Sequence, residues 1–195
     1  MRFFTCIFEQ HDLWLVALAA LVCTFGSWVT MRLYVRTRET TRFSRAAWIF
    51  LGAVAAGSTI WCTHFVAMLA YKPGVPVAYD PALTGLSLAI AIFASGAALG
   101  VASIRRFSLS REAGGALFGL GIVAMPYTGM AAFSAQALVV WDAAYVAASV
   151  LLSVGIAACA FGCAGGATGL WREYGAAGLL VLATALLFLI VGALH

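Results

Sequence analysis

A chain of 195 residues that is 64% hydrophobic and only 9% charged, with a mean hydropathy of +1.03, carries more apolar surface than a water-soluble domain of its size can bury. Apolar runs of about 20 residues recur along it, each long enough to cross a hydrocarbon layer of roughly 30 Å, so a soluble globular class is excluded. The formal charge of +4 is spread over short clusters with no continuous basic face, which argues against direct nucleic-acid binding.

The first residues carry Arg2, a few apolar side chains and then Glu9, Gln10, His11 and Asp12, a pattern unlike a cleavable leader. Asp12 is placed to cap a first helix over 13–35. Arg32, Arg36, Arg38, Arg42 and Arg45 then lead into a second helix over 46–71, which three prolines in 72–81 bring to a stop. A third helix is expected over 82–104, and Arg105, Arg106 and Arg111 separate it from a fourth over 113–136. Trp141, Asp142 and Tyr145 mark the next membrane boundary, a fifth helix spans 143–169, and Trp171, Arg172, Glu173 and Tyr174 precede a sixth over 174–195.

The expected fold is therefore all-α: a polytopic membrane bundle of six transmembrane helices. Nine of the eleven basic residues fall in alternate loops, and only Arg2 and Lys72 lie on the other side. That asymmetry assigns the arginine-rich loops to the cytoplasm and puts the N-terminus outside. Glycine pairs such as Gly96 and Gly100, Gly115 and Gly119, and Gly162 and Gly166 predict close helix packing.

An internal repeat organises the chain. A shift of 62 residues superposes Gly52 on Gly114, Gly57 on Gly119, Ile60 on Ile122, Phe65 on Tyr127, Met68 on Met130 and Ala70 on Ala132. Three helix hairpins, at about 13–71, 82–133 and 143–195, make up one domain over 1–195. Two helices per repeat keep every copy in the same orientation, so the motif ends meet on one membrane face.

At that face lie soft metal-ligand types. His64 and Met68 stand four apart, on one side of a helix, and an imidazole with a thioether suits an ion such as Cu(I). Further donors must come from other helices: Met130, the equivalent of Met68, then Met125 and His195. Cys62 flanks His64, whereas the five cysteines are odd in number and form no disulfide framework. The seven acidic residues all sit near helix ends, with no intramembrane carboxylate pair, phosphate loop or dinucleotide fingerprint, so no enzyme activity is expected of this segment.

These residues resemble the MHYT-domain family of bacterial integral-membrane sensors, named for a Met-His-Tyr-Thr core that recurs on alternate helices. Met125, Pro126, Tyr127, Thr128, Gly129 and Met130 are close to the family's Met-His-Tyr-Thr-Gly-Met form. Thr63, His64, Phe65 and Met68 match a variant with Phe for Tyr, and the segment from His11 to Ala19 looks like the family's opening. The resemblance implies a sensor in the bacterial inner membrane that binds copper through motif histidines and methionines. Through the copper it senses oxygen, carbon monoxide or nitric oxide, with cyclic-di-GMP synthase and phosphodiesterase domains often following. The implied partners are the lipid bilayer, a diatomic gas and a cytoplasmic output domain or protein, with a homodimer left open.

Two motif positions depart from the family pattern. Thr63 stands where the first copy has Met, and Pro126 where the second has His. Proline cannot ligate a metal, and within a helix it removes a backbone hydrogen bond and favours a kink. His64 and His195, with Met68, Met125 and Met130, are then the expected metal ligands. A metal transporter or channel and a structural membrane anchor without metal are the alternative readings.

Overall fold

The computed structural model describes residues 12–40, 42–70, 78–131, 133–134, 143–165 and 170–192. Among them are six helices: α1 (Leu13–Glu39), α2 (Arg42–Ala70), α3 (Pro81–Ala102), α4 (Ser110–Ala131), α5 (Ala143–Gly165) and α6 (Leu170–Gly192). Two short strands, β1 (Ala78–Tyr79) and β2 (Phe133–Ser134), pair antiparallel, Ala78 opposite Ser134 and Tyr79 opposite Phe133. The architecture is the expected all-α membrane bundle. Four of the helices, α1, α2, α3 and α5, are long and apolar enough to cross a membrane over their described residues.

Each helix packs against the next, and α6 returns to α1, so the six form a closed ring. The helix starts follow from local chemistry. Asp12 accepts from the Trp14 amide at 3.1 Å as the N-cap of α1, as its position in the sequence suggested. Asp80 does the same for α3 through Leu83 at 2.9 Å, with Pro81 in the first turn, where its missing N–H is harmless. Glu112 and Glu173 lie in the first turns of α4 and α6, where carboxylates favour the positive end of the helix dipole.

The first arginine cluster differs from the sequence expectation. Arg36 and Arg38 belong to the last turn of α1, and Arg42 and Arg45 lie within α2, so the connection between these helices is short. Cations in a last turn complement the exposed carbonyls there, which extends α1 beyond its apolar stretch. Predicted 113–136 likewise begins earlier, at Ser110, and gives way to β2 at Phe133.

The core is built from small side chains and a few large ones. Tyr34, Phe118 and Phe161 form its aromatic centre, with ring centroids 4.7 Å apart for Tyr34 and Phe161 and 5.2 Å for Phe118 and Phe161. Glycines let the backbones meet. A Cβ on Gly57 would fall 2.6 Å from the Ile92 backbone, and one on Gly119 would fall 2.6 Å from the Ser153 carbonyl and 2.7 Å from the Val154 Cα. Ile92 and Val154 stand 62 positions apart, as Gly57 and Gly119 do, so the repeat in sequence is also a repeat in packing. Gly100 departs from expectation: nothing lies within 4 Å of its added Cβ.

Large apolar side chains cover the outside of the ring, among them Trp14, Phe43, Phe50, Phe93, Leu151 and Trp171. In water such a surface would aggregate; in a bilayer it is the lipid contact.

Candidate functional site

The two ends of the bundle differ in chemistry. One gathers the arginines. There Thr37 and Ser103, both buried, share a hydroxyl contact of 2.9 Å, and Arg38 donates to the Ala102 carbonyl at 2.7 Å. Arg105 donates to the Arg38 carbonyl, and Arg32 pairs with Glu173 at 3.3 Å while lying 5.7 Å from the Trp28 ring centroid. Trp28 in turn stacks on Tyr174 with centroids 6.5 Å apart and planes 4° from parallel. The ends of α1 and α3 and the start of α6 are thus tied together by polar contacts.

The other end carries the motifs. The Asp12 amide donates to the Ala70 carbonyl at 2.9 Å, fastening the start of α1 to the end of α2. The β1–β2 ladder joins the α2–α3 connection to the α4–α5 connection at this same end. His64 is 3% exposed and lies less than two turns from the arginine-free end of a helix whose neighbouring rings pack around it: Trp61 and Phe65 at 4.6 Å, His64 and Phe65 edge-on at 5.2 Å.

A serine acceptor repeats from one motif to the next, while the aromatic ring it receives shifts by four residues within the motif. Trp61 donates its indole N–H to Ser87 Oγ at 3.1 Å and to the Thr84 carbonyl at 3.2 Å. Tyr127 meets Ser149 Oγ at 3.3 Å. Each serine hydroxyl donates to the carbonyl three residues earlier, Ser87 to Thr84 at 2.7 Å and Ser149 to Val146 at 2.8 Å. With its proton so committed, each serine accepts from the aromatic partner.

Of the five expected ligands, the structure buries His64 and Met125 and leaves Met68 half-buried. Met130 belongs to α4, but its side chain lies outside the described residues, as does all of His195. The helix α4 runs through Pro126 to Ala131, so the residue between Met125 and Tyr127 leaves the Ile122 carbonyl without its usual helical donor. Below His64 and Met125, Ile60 and Thr63 of α2 face Phe118 and Ile122 of α4 across one cavity. Both donors therefore lie on the helices that meet at this level.

Among the described residues no three His, Cys, Asp or Glu side chains gather as a metal cluster. The expected donors are an imidazole and thioethers, with the Cys62 thiol beside His64 on the same helix. That set fits a soft ion such as Cu(I) and does not fit Mg²⁺ or Ca²⁺, which demand oxygen ligands.

The sequence reading did not single out the hydroxyls. Ser87 and Ser149 could have been found from their 62-residue spacing within apolar helices. Ser27, Thr30, Thr59, Thr63 and Thr184, which line the cavity together with Cys23, carry no such spacing and come from three separate helices.

The family model for the bacterial signalling protein N-terminal repeat, MHYT, matches residues 57–115 and again residues 119–177. The two matches start 62 residues apart. The chain belongs to the MHYT family. Its MHYT repeats also align with longer proteins: a signalling protein of Caulobacter vibrioides is 43% identical over 95% of this chain and 23% of its own length. The cyclic di-GMP phosphodiesterase NbdA of Pseudomonas aeruginosa is 40% identical over 73% of this chain and 18% of its own. The bifunctional diguanylate cyclase/cyclic di-GMP phosphodiesterase MucR of the same organism is 36% identical over 76% of this chain and 22% of its own. The MHYT chain thus spans about a fifth of the length of these curated relatives. No solved structure matches it.

Proposed function

We propose that this MHYT domain is the membrane-embedded sensory input of a cyclic-di-GMP signalling protein. It binds copper through His64, Met68, Met125, Met130 and His195 and responds to oxygen, carbon monoxide, nitric oxide or redox state. The observation that carries the reading is the burial of His64 and Met125, an imidazole and a thioether, at the motif end of the bundle. Bound copper would supply a soft, one-electron redox centre able to take a small diatomic ligand.

The protein's own side chains do the rest. The rings of Trp61 and Phe65 exclude water beside His64, and the hydrogen bonds to Ser87 and Ser149 couple each motif helix to the next helix in the ring. A ligand that favours one packing of these helices by about 1–3 kcal/mol is enough for a usable switch. The pair Arg32–Glu173 and the contacts of Arg38 and Arg105 would pass that change to an output domain at the arginine end. In this reading the arginine end faces the cytoplasm and the motif end, with the N-terminus, faces the periplasm. The concentration of nine of eleven basic residues in alternate connections supports that orientation in the bacterial inner membrane.

The decisive test is metal analysis of protein purified anaerobically in detergent. Copper bound in a fixed ratio to the native chain, and lost in His64→Ala/His195→Ala, is expected. Equal copper in the native chain and the double variant overturns the reading.

A further inference from the structure

In the middle of the bundle lies a cavity of about 20 Å³, lined by Cys23, Ser27 and Thr30 of α1, Thr59, Ile60 and Thr63 of α2, Phe118 and Ile122 of α4, and Thr184 of α6. Its surface is mostly apolar, but its lining residues bring five hydroxyls and a thiol. A water molecule needs roughly 10–15 Å³ of such space and two to four polar partners. This cavity has room for one water and none for a larger molecule.

The hydrogen-bond directions decide the occupant. Thr30 donates to the Gly26 carbonyl at 2.7 Å, Thr59 to Ala55 at 2.7 Å and Thr184 to Leu180 at 3.0 Å. Their hydroxyl protons are thereby committed, and lone pairs are what these oxygens offer to the cavity. Thr63 is different. It is 4% exposed, lines the same cavity, and its Oγ1 meets no nitrogen or oxygen partner among the described residues, the Cys23 thiol being its polar neighbour. The Cys23 thiol, 6% exposed, lies beside Thr184, Ser27 and Thr63. The wall therefore combines acceptors from α1, α2 and α6 with a donor on Thr63, which is the complement of a molecule that both donates and accepts.

We infer that this cavity is a binding site for a single internal water, held by Thr63 together with the hydroxyls of Thr30, Thr59 and Thr184, and bridging α1, α2 and α6 beside Cys23. A sodium ion is the poorer occupant, because it wants a fuller shell of oxygens and the lining residues bring no carboxylate. The site gives Thr63 a role that its motif position does not: a hydroxyl next to His64 that ties the motif helix to the first and last helices. The inference stands independently of copper.

X-ray hydroxyl-radical footprinting of the full chain in lipid nanodiscs, read by mass spectrometry, tests it, since a bound water generates radicals at the side chains it touches. Cys23 is expected to be oxidised despite its burial, and the label to carry the oxygen isotope of the solvent after equilibration in ¹⁸O water. Thr63→Val, which keeps the shape and removes the hydroxyl, is expected to lower Cys23 labelling several-fold; Thr63→Ser is expected to retain it. No labelling of Cys23 in the native chain, or equal labelling in native and Thr63→Val, overturns the inference. Labelling that disappears when sodium replaces a bulky organic cation overturns it in favour of an ion.

Discussion

Ser87 and Ser149 occupy equivalent places 62 residues apart, and each buried hydroxyl donates along its own helix while receiving a motif ring from the helix before it. A side chain–side chain bond between membrane helices averages about 0.6 kcal/mol and reaches about 1.7. Ser149→Ala removes the acceptor that Tyr127 uses, and a loss within that range is expected. Ser87→Ala leaves Trp61 the Thr84 carbonyl at 3.2 Å, so a loss toward the lower end of that range is expected. The two bonds use different residues on different helix pairs, so the double variant should lose the sum. Thermal unfolding in detergent of the two single variants and the double variant measures all three. A double variant much worse than the sum contradicts independent repeats.

Gly57 and Gly119 meet backbone on the neighbouring helix, and backbone cannot rotate away. Gly57→Ala and Gly119→Ala must therefore push α2 from α3 and α4 from α5, at a cost of about 1–3 kcal/mol that outweighs the helix propensity alanine gains. Gly100→Ala, with nothing within 4 Å of its Cβ, should be neutral or stabilising by up to about 1 kcal/mol. A thermal shift series on the three variants checks the order. Equal effects at all three positions contradict the packing described.

The Arg32–Glu173 pair is partly open, with side-chain exposures of 43% and 17%. Solvent screening limits such a pair to about 0–1 kcal/mol. A double-mutant cycle with Arg32→Gln and Glu173→Gln should return a coupling energy inside that range, shrinking as salt is raised. If the pair instead relays a signal, the same substitutions will reduce the ligand response of the intact signalling protein while leaving its unfolding temperature nearly unchanged.

Hydropathy made the helices legible, because each apolar run has to cross lipid and each charged cluster has to leave it. The arginine end was misread by several residues for the same reason: cations stop an apolar pattern without stopping a helix, and Arg36, Arg38, Arg42 and Arg45 are all helical. The repeat placed His64 and Met125 near the same end of their helices, but their burial depends on the helices packed around them. The cavity was not legible, because its walls come from four helices, with Cys23, Thr63 and Thr184 on three of them, and nothing local in any one marks the others as neighbours. Likewise Gly100 has the spacing of a contact glycine but lacks the neighbour, which only the rotation of α3 within the ring decides.

Pro126 offers the sharpest test of the copper reading. It is buried in α4 directly after Met125, at the place where the family motif carries histidine. Pro126→His would return an amide hydrogen to the Ile122 carbonyl and add an imidazole to the donor set. If His64 and the Met125–Met130 segment serve one ion, the added ligand should tighten Cu(I) binding at least tenfold, about 1.4 kcal/mol. Competition against a Cu(I) chelator under anaerobic conditions gives the affinity. The gain must also depend on the first motif: in His64→Ala/Pro126→His it should largely vanish, because an imidazole without its partners is a weak site. A tenfold gain that persists without His64 would mean that the two motifs hold separate ions. No gain at all, in a variant that unfolds at the native temperature or above, would mean that α2 and α4 do not share a metal.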